Sequence, residues 1–179
     1  MDSPLSDFAR RLSELSTKSS AKINSLTELS LKYHEHASDL VLLWEKEVNN
    51  AALTRLPALF SLADSILKKS PVAYRPEFGN RLPPVYVTCL ERLEKAADSD
   101  TQNWLSKMLN VSWRKHRLLP QESLSYIDLR SKQLQVNLSS GNNHDSMNMQ
   151  NVQQNAAVEQ NSVQHDADQT SRRERLIGI

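Results

Sequence analysis

Through most of the chain, apolar residues recur three and four positions apart, the spacing of helices that bury one face. The stretch RLPALFSLADSILKKS, residues 55–70, shows the pattern most densely. At ~100° per residue, Leu56, Leu59, Phe60, Ala63 and Leu67 fall on one side of the predicted helix. Asp64 lies roughly 80° from the middle of that cluster, while Ser61, Ser65 and Lys68 face further out. Pro57 fits only in the first turn, because deeper in a helix its ring removes a hydrogen bond and clashes with the preceding turn. The pattern thus sets a carboxylate at the edge of an apolar wall.

The same reading divides the neighbouring sequence into helices. SPLSDFARRLSEL offers Ser3 as a cap, Pro4 in the first turn and Asp7 near the positive end of the dipole. SSAKINSLTELSLKYH follows, then ASDLVLLWEKEVNN, with Ala37, Leu40, Val41, Trp44 and Val48 at helical spacing. AYRPEFGNRL reads as a short piece broken by Pro76 and Gly79. PPVYVTCLERLEKAA is a separate predicted helix, with Tyr86, Cys89, Leu90, Leu93 and Ala97 on one face. SDTQNWLSKMLNVSWRKH starts from Ser99 or Asp100 as cap and aligns Trp104, Leu105, Met108, Leu109 and Ser112. After Pro120, QESLSYIDLRSKQLQVNL makes a last helix. PPVYVTC is the best strand candidate, but helical spacing continues beyond it and no partner strand is evident. Short connections favour antiparallel helix neighbours in a bundle or solenoid, so the predicted fold class is all-α.

Composition changes near residue 139. From Ser139 to Arg175 there is no Leu, Ile, Phe, Tyr or Trp, and Asn and Gln dominate. Such a segment cannot bury enough apolar surface to offset its ordering entropy, which predicts one domain over residues 1–138 and a disordered Asn/Gln-rich tail over 139–179. The formal net charge of +1 demands neither a nucleic acid nor a membrane. No apolar run reaches spanning length and the N-terminus lacks a signal-peptide pattern, so an intracellular, reducing compartment is expected. The single cysteine, Cys89, rules out an internal disulfide framework and any all-cysteine metal site.

Candidate chemistry is sparse. No Gly-rich phosphate loop, His-Glu-x-x-His or nucleophile elbow occurs. His34 and His36, two apart on a helix, point to different faces, as exposed polar residues do. Cys89 sits on an apolar stripe as a small buried hydrophobe. These features point to a binding module rather than an enzyme, with no cofactor or metal. Basic residues gather at Lys68, Lys69, Arg75 and Arg81, and again at Lys107, Arg114, Lys115, His116 and Arg117. Taken alone they are solvated helix faces, some complementing helix C-termini. They suit an anionic partner only if they converge on one groove with Asp64.

The sequence KINSLTELSLKYHEHASDLVLLWEKEV, with RLPALFSLADSILKKSPVAYRPEFGNRL after it, resembles the CTD-interaction domain, which binds the C-terminal heptad repeats of RNA polymerase II. The resemblance runs from about residue 5 to 134. Its most specific piece is Leu-x-x-x-Asp-Ser-Ile, here Phe60 to Ile66 as FSLADSI. Ser70-Pro71 with Tyr74 and Phe78 is most similar to the version in the cleavage and polyadenylation factor subunit that couples 3′-end processing to termination. The resemblance implies a right-handed superhelix of eight α-helices, of VHS/ENTH-like architecture, and a nuclear protein. Its partners would be the polymerase repeats and the cleavage and polyadenylation factors. Weak or nonspecific RNA contact would be auxiliary, and no membrane would be bound.

In that family the second, fourth and seventh helices form a groove for the heptad YSPTSPS. The resemblance gives Asp64 the part of hydrogen-bonding the peptide, including its tyrosine hydroxyl. A buried tyrosine has an apolar body and one polar end that must be satisfied. Ser19, Ser20, Lys22 and Ile23 match the start of the second helix, and Lys68 a basic groove position one turn beyond Asp64. In several relatives an arginine on the seventh helix contacts the phosphate of the second-position serine. Lys107 is the nearest match, but LNVSW holds one extra residue, so Asn110 is the alternative in a shifted register, with Val111 beside it. A lysine there lacks the bidentate fork of arginine. Ser61 departs from the tyrosine common three residues before the aspartate, which implies a looser groove, one that accepts a divergent heptad, or a lost activity. The competing expectation is a VHS/ENTH-like trafficking module that binds sorting peptides or phosphoinositides.

Overall fold

Every regular element in this computed structural model, which describes residues 3–136, is helical. Helices run over Pro4–Ser13 (α1), Ser20–Lys32 (α2), Ala37–Asn50 (α3), Leu56–Lys69 (α4), Pro71–Lys95 (α5) and Ser99–Lys107 (α6). A π-helical turn, Met108–Arg114, extends α6, and a last helix, α7, covers residues 121–136. Single 3₁₀ turns at His34–His36 and Leu53–Arg55 introduce α3 and α4. Each helix packs on neighbours one or two places away in the chain, α1 on α2 and α3, α2 on α4, α3 on α5, and α5 on α6. This is the pattern of an all-α superhelical array. Residues up to Lys132 form one compact unit, to which the packing described here belongs. The expected tail, residues 139–179, lies outside the described residues.

Helix α4 is the central pillar. The predicted stripe of Leu56, Leu59, Phe60, Ala63 and Leu67 is fully buried, and so are Leu62 and Ile66 on the other side. Phe60 enters an aromatic cluster, edge-to-face with Trp44 at 5.6 Å and Tyr86 at 6.2 Å, with Trp113 at 6.1 Å. Trp44 also meets Phe78 at 5.1 Å and donates its indole N–H to the Leu59 carbonyl at 2.9 Å. Edge-to-face aromatic pairs contribute about 0.5–1.5 kcal/mol each beyond their buried area. This cluster therefore fixes how α3, α4, α5 and the π-turn meet.

Helix α5 differs from its sequence reading. The piece with Pro76 and Gly79 and the helix after it are one continuous helix of 25 residues, with Pro76, Pro83 and Pro84 inside. Seven α-helices are therefore described, against the eight implied by resemblance. Packing repairs what the prolines break. Pro83 lacks the N–H that would bond the carbonyl four residues earlier, that of Gly79. The Ser123 hydroxyl on α7 donates to that carbonyl at 2.8 Å. Gly79 makes the approach feasible, since a Cβ there would lie 2.8 Å from Pro120 Cγ.

The helix ends are tied by specific groups. Asp98, rather than Ser99 or Asp100, caps α6, its carboxylate accepting from Thr101 N–H at 3.0 Å. The cap shifts because α5 ends in a Schellman turn, with Ala97 at φ 54° and Asp98 N–H bonded to the Leu93 carbonyl at 3.0 Å. Ala97, expected on the buried face, is thereby exposed. Arg55 donates to the carbonyls of Leu12, Ser13 and Leu15 at the end of α1, and Arg92 to those of Val48 and Ala51 at the end of α3. In both places guanidinium groups satisfy carbonyls that a helix end leaves without partners.

Candidate functional site

Helix α4 is flanked by α2 on one side and by α6 with its π-turn on the other. Between these contacts one polar sector of α4 faces outward. By rotation it carries Asp64, Lys68, Ser61 and Ser65 within ~100°. At the α2 side, Thr27 Oγ donates to the Ile23 carbonyl at 2.7 Å and is hydrogen-bonded to Ser65 Oγ at 2.9 Å. At the other side Ser112, on the π-turn, donates its hydroxyl to Asp64 Oδ1 at 2.5 Å. Lys68 Nζ donates to Asp64 Oδ2 at 2.7 Å. The carboxylate is 16% exposed and its lysine partner 47%. Ahead of α2, the Lys18 ammonium lies 5.2 Å from the centre of the Trp104 ring, joining that segment to α6. The result is a polar strip on α4 between α2 and the π-turn, with the Asp64 carboxylate held at its centre.

The expected site residues divide into three groups. Asp64 and Lys68 are paired on α4, and Ile23 is buried on α2. Ser19 and Ser20 stand at the start of α2, where Ser19 caps the helix by accepting from Lys22 N–H at 3.5 Å. Lys22 turns away, ~140° around the helix from Thr27, and its Nζ donates to the Glu14 carbonyl at 3.0 Å. Lys107, Asn110 and Val111 are exposed on the end of α6 and the π-turn. Asn110 Nδ2 donates back to the Ser106 carbonyl at 3.0 Å, and Val111 is 53% exposed.

The extra residue in LNVSW has a physical counterpart. Met108–Arg114 is π-helical, with one more residue in each hydrogen-bonded turn than an α-helix. Three members of this polar strip's hydrogen-bond network are absent from the expected site residues: Ser112, Thr27 and Ser65. Ser112 was placed on an apolar stripe, and its hydroxyl was the one signal against that placement. Ser61 Oγ is buried with no hydrogen-bond partner among the described residues.

Elsewhere three buried ionisable groups are silenced by desolvation. The Tyr74 and Tyr86 phenols are both pushed up to about 12, chiefly by desolvation, and Tyr74 donates to the Ser30 carbonyl at 2.8 Å. Burial likewise pushes the Cys89 thiol up to about 11, so it stays protonated at neutral pH. Among the described residues no group of His, Cys, Asp and Glu is arranged to hold a metal ion.

Comparison with known proteins decides the family. The family model for the CID domain matches residues 6–127, most of the described chain. The chain belongs to the CID domain family. Among its relatives is the mouse "Regulation of nuclear pre-mRNA domain-containing protein 1B", 25% identical over 124 residues, covering 69% of this chain and 37% of that protein. The human protein of the same name matches equally. The bovine "Regulation of nuclear pre-mRNA domain-containing protein 1A" is 24% identical over 118 residues, covering 66% of this chain and 37% of the relative. The chain therefore spans little more than a third of the length of these curated relatives. The CID match spans α2, α4 and the π-turn.

Proposed function

We propose that this CID domain is a reader of the RNA polymerase II C-terminal repeats and binds a phosphorylated heptad peptide in the groove between α2 and α6. The observation that carries this reading is Asp64. It is a largely covered carboxylate on an apolar pillar, with both oxygens held and lone pairs left to accept from a ligand hydroxyl. A tyrosine hydroxyl reaching this carboxylate would be satisfied on Asp64. Lys68 and Lys107 supply positive charge for a phosphate at the floor and rim. As lysines they act as point charges without a bidentate fork. The domain performs no chemistry. It recruits, in the nucleus, factors that process the 3′ end of the transcript and terminate transcription. The nuclear pre-mRNA regulators among its relatives support that setting.

The test is fluorescence anisotropy of a labelled two-heptad peptide, unmodified and phosphorylated at the second-position serine, against wild type and Asp64→Asn. The phosphorylated peptide is expected to bind more tightly. Asp64→Asn should weaken both peptides at least tenfold while melting within a few degrees of wild type, because a hydrogen bond to a charged group is worth about 1.5–3 kcal/mol. A folded Asp64→Asn protein that binds as tightly as wild type would overturn the site. Co-sedimentation with phosphoinositide vesicles, expected to be absent, separates this reading from a trafficking module.

A further inference from the structure

Two rows of side chains run along α6 and the π-turn at a constant spacing of four residues. One is Trp104, Met108 and Ser112, and the other is Leu105, Leu109 and Trp113. In an α-helix each four-residue step drifts by ~40°, so the third member would be turned ~80° from the first. Leu105, Leu109 and Trp113 are nevertheless all buried. The π-helical turn underwinds the backbone just where the drift would accumulate. The same underwinding acts on the parallel row. It brings Ser112, a short side chain on a packed segment, against Asp64 on α4.

The two partners of Asp64 differ in kind. Lys68 sits one turn away on the same helix, at the end of a flexible stem and about half exposed, free to leave for a phosphate. Ser112 reaches across from a different element, with few rotamers and little exposure. Of the two, only Ser112 can hold the carboxylate plane fixed once the lysine leaves.

We propose that Ser112 is a positioning residue of the groove. It holds Asp64 Oδ1 so that the carboxylate presents its remaining lone pairs to a phenolic hydroxyl of the ligand. This rests on the peptide-groove reading and deepens it by naming what orients the acceptor. The extra residue of the π-turn thereby has a function, which is to aim Ser112 at α4 while Leu109 and Trp113 stay in the core.

The test compares wild type, Ser112→Ala, Ser112→Thr, Asp64→Asn and the Ser112→Ala/Asp64→Asn double variant by peptide anisotropy, with thermal melts of each. The probe is the phosphorylated two-heptad peptide, alongside the same peptide with both tyrosines replaced by phenylalanine. Ser112→Ala is expected to bind the tyrosine peptide about tenfold more weakly than wild type and the phenylalanine peptide equally. Ser112→Thr, which keeps the hydroxyl, should stay within about twofold. The double variant should bind no more weakly than Asp64→Asn alone, since Ser112 acts through Asp64. Proton couplings of the Asp64 methylene should show one side-chain rotamer in wild type and averaging in Ser112→Ala. The proposal is overturned by Ser112→Ala binding within twofold of wild type, by an equal loss on both peptides, or by a loss that adds to that of Asp64→Asn. If wild type bound neither peptide, the functional reading would fall by itself. The couplings would then decide alone, with an unchanged single rotamer in Ser112→Ala overturning the positioning role.

Discussion

Asp64 shows how one residue acquires a part through its neighbours. On its own helix it stands at the margin of the apolar stripe, where rotation alone leaves a carboxylate half-committed to solvent. Ser112 and Lys68 settle its orientation from opposite directions. The aspartate was legible in the sequence because a charge beside an apolar run is conspicuous. Ser112 was not, because a serine spaced evenly with leucines and tryptophans reads as stripe. Lys22, matched by resemblance to the start of the family's second helix, donates to the Glu14 carbonyl. At the rim, Lys107 is exposed and meets solvent and salt, which limits its worth to about 0.2–1 kcal/mol. Lys107→Ala should weaken the phosphorylated peptide about two- to fivefold, leave the unmodified peptide unchanged, and lose its effect at 0.5 M salt. Anisotropy titrations at two salt concentrations check this. An equal loss on both peptides would remove Lys107 from phosphate contact.

Among the elements, α5 carries the most instruction. Three internal prolines and a glycine argue for breaks, and local reasoning split the helix accordingly. Tertiary partners overrode those signals, with Ser123 satisfying the Gly79 carbonyl that Pro83 cannot bond and Pro120 seated where Gly79 has no Cβ. A rule about one segment cannot see a hydroxyl arriving from 44 residues downstream. By contrast α3 was plain in the sequence, since Ala37, Leu40, Val41, Trp44 and Val48 are buried as their spacing requires. Gly79→Ala should cost about 1–3 kcal/mol, the usual penalty for crowding a packed contact, because the stiff Pro120 ring must move. A drop of several degrees in melting temperature, with peptide affinity retained, is the expected result. An unchanged melt would show that α7 docks loosely.

For the molecule as a whole, the proposed arrangement separates stability from recognition. The aromatic cluster of Trp44, Phe60, Phe78, Tyr86 and Trp113 lies on the buried side of α4, and the polar strip with Asp64 on its other sector. One helix thus carries both the core stripe and the proposed acceptor carboxylate. The all-α class and most of the core were readable from periodicity, because burial on one face leaves a repeating trace. The proposed peptide site draws on family resemblance, because it involves helices distant in sequence that no spacing rule joins. The most direct test of the central claim is an amide chemical-shift titration of the whole chain with the phosphorylated two-heptad peptide. Shifts are expected to concentrate on α2, on Asp64 and its neighbours in α4, and on the π-turn around Ser112. Saturable shifts confined to other faces, or none at all, would contradict the account.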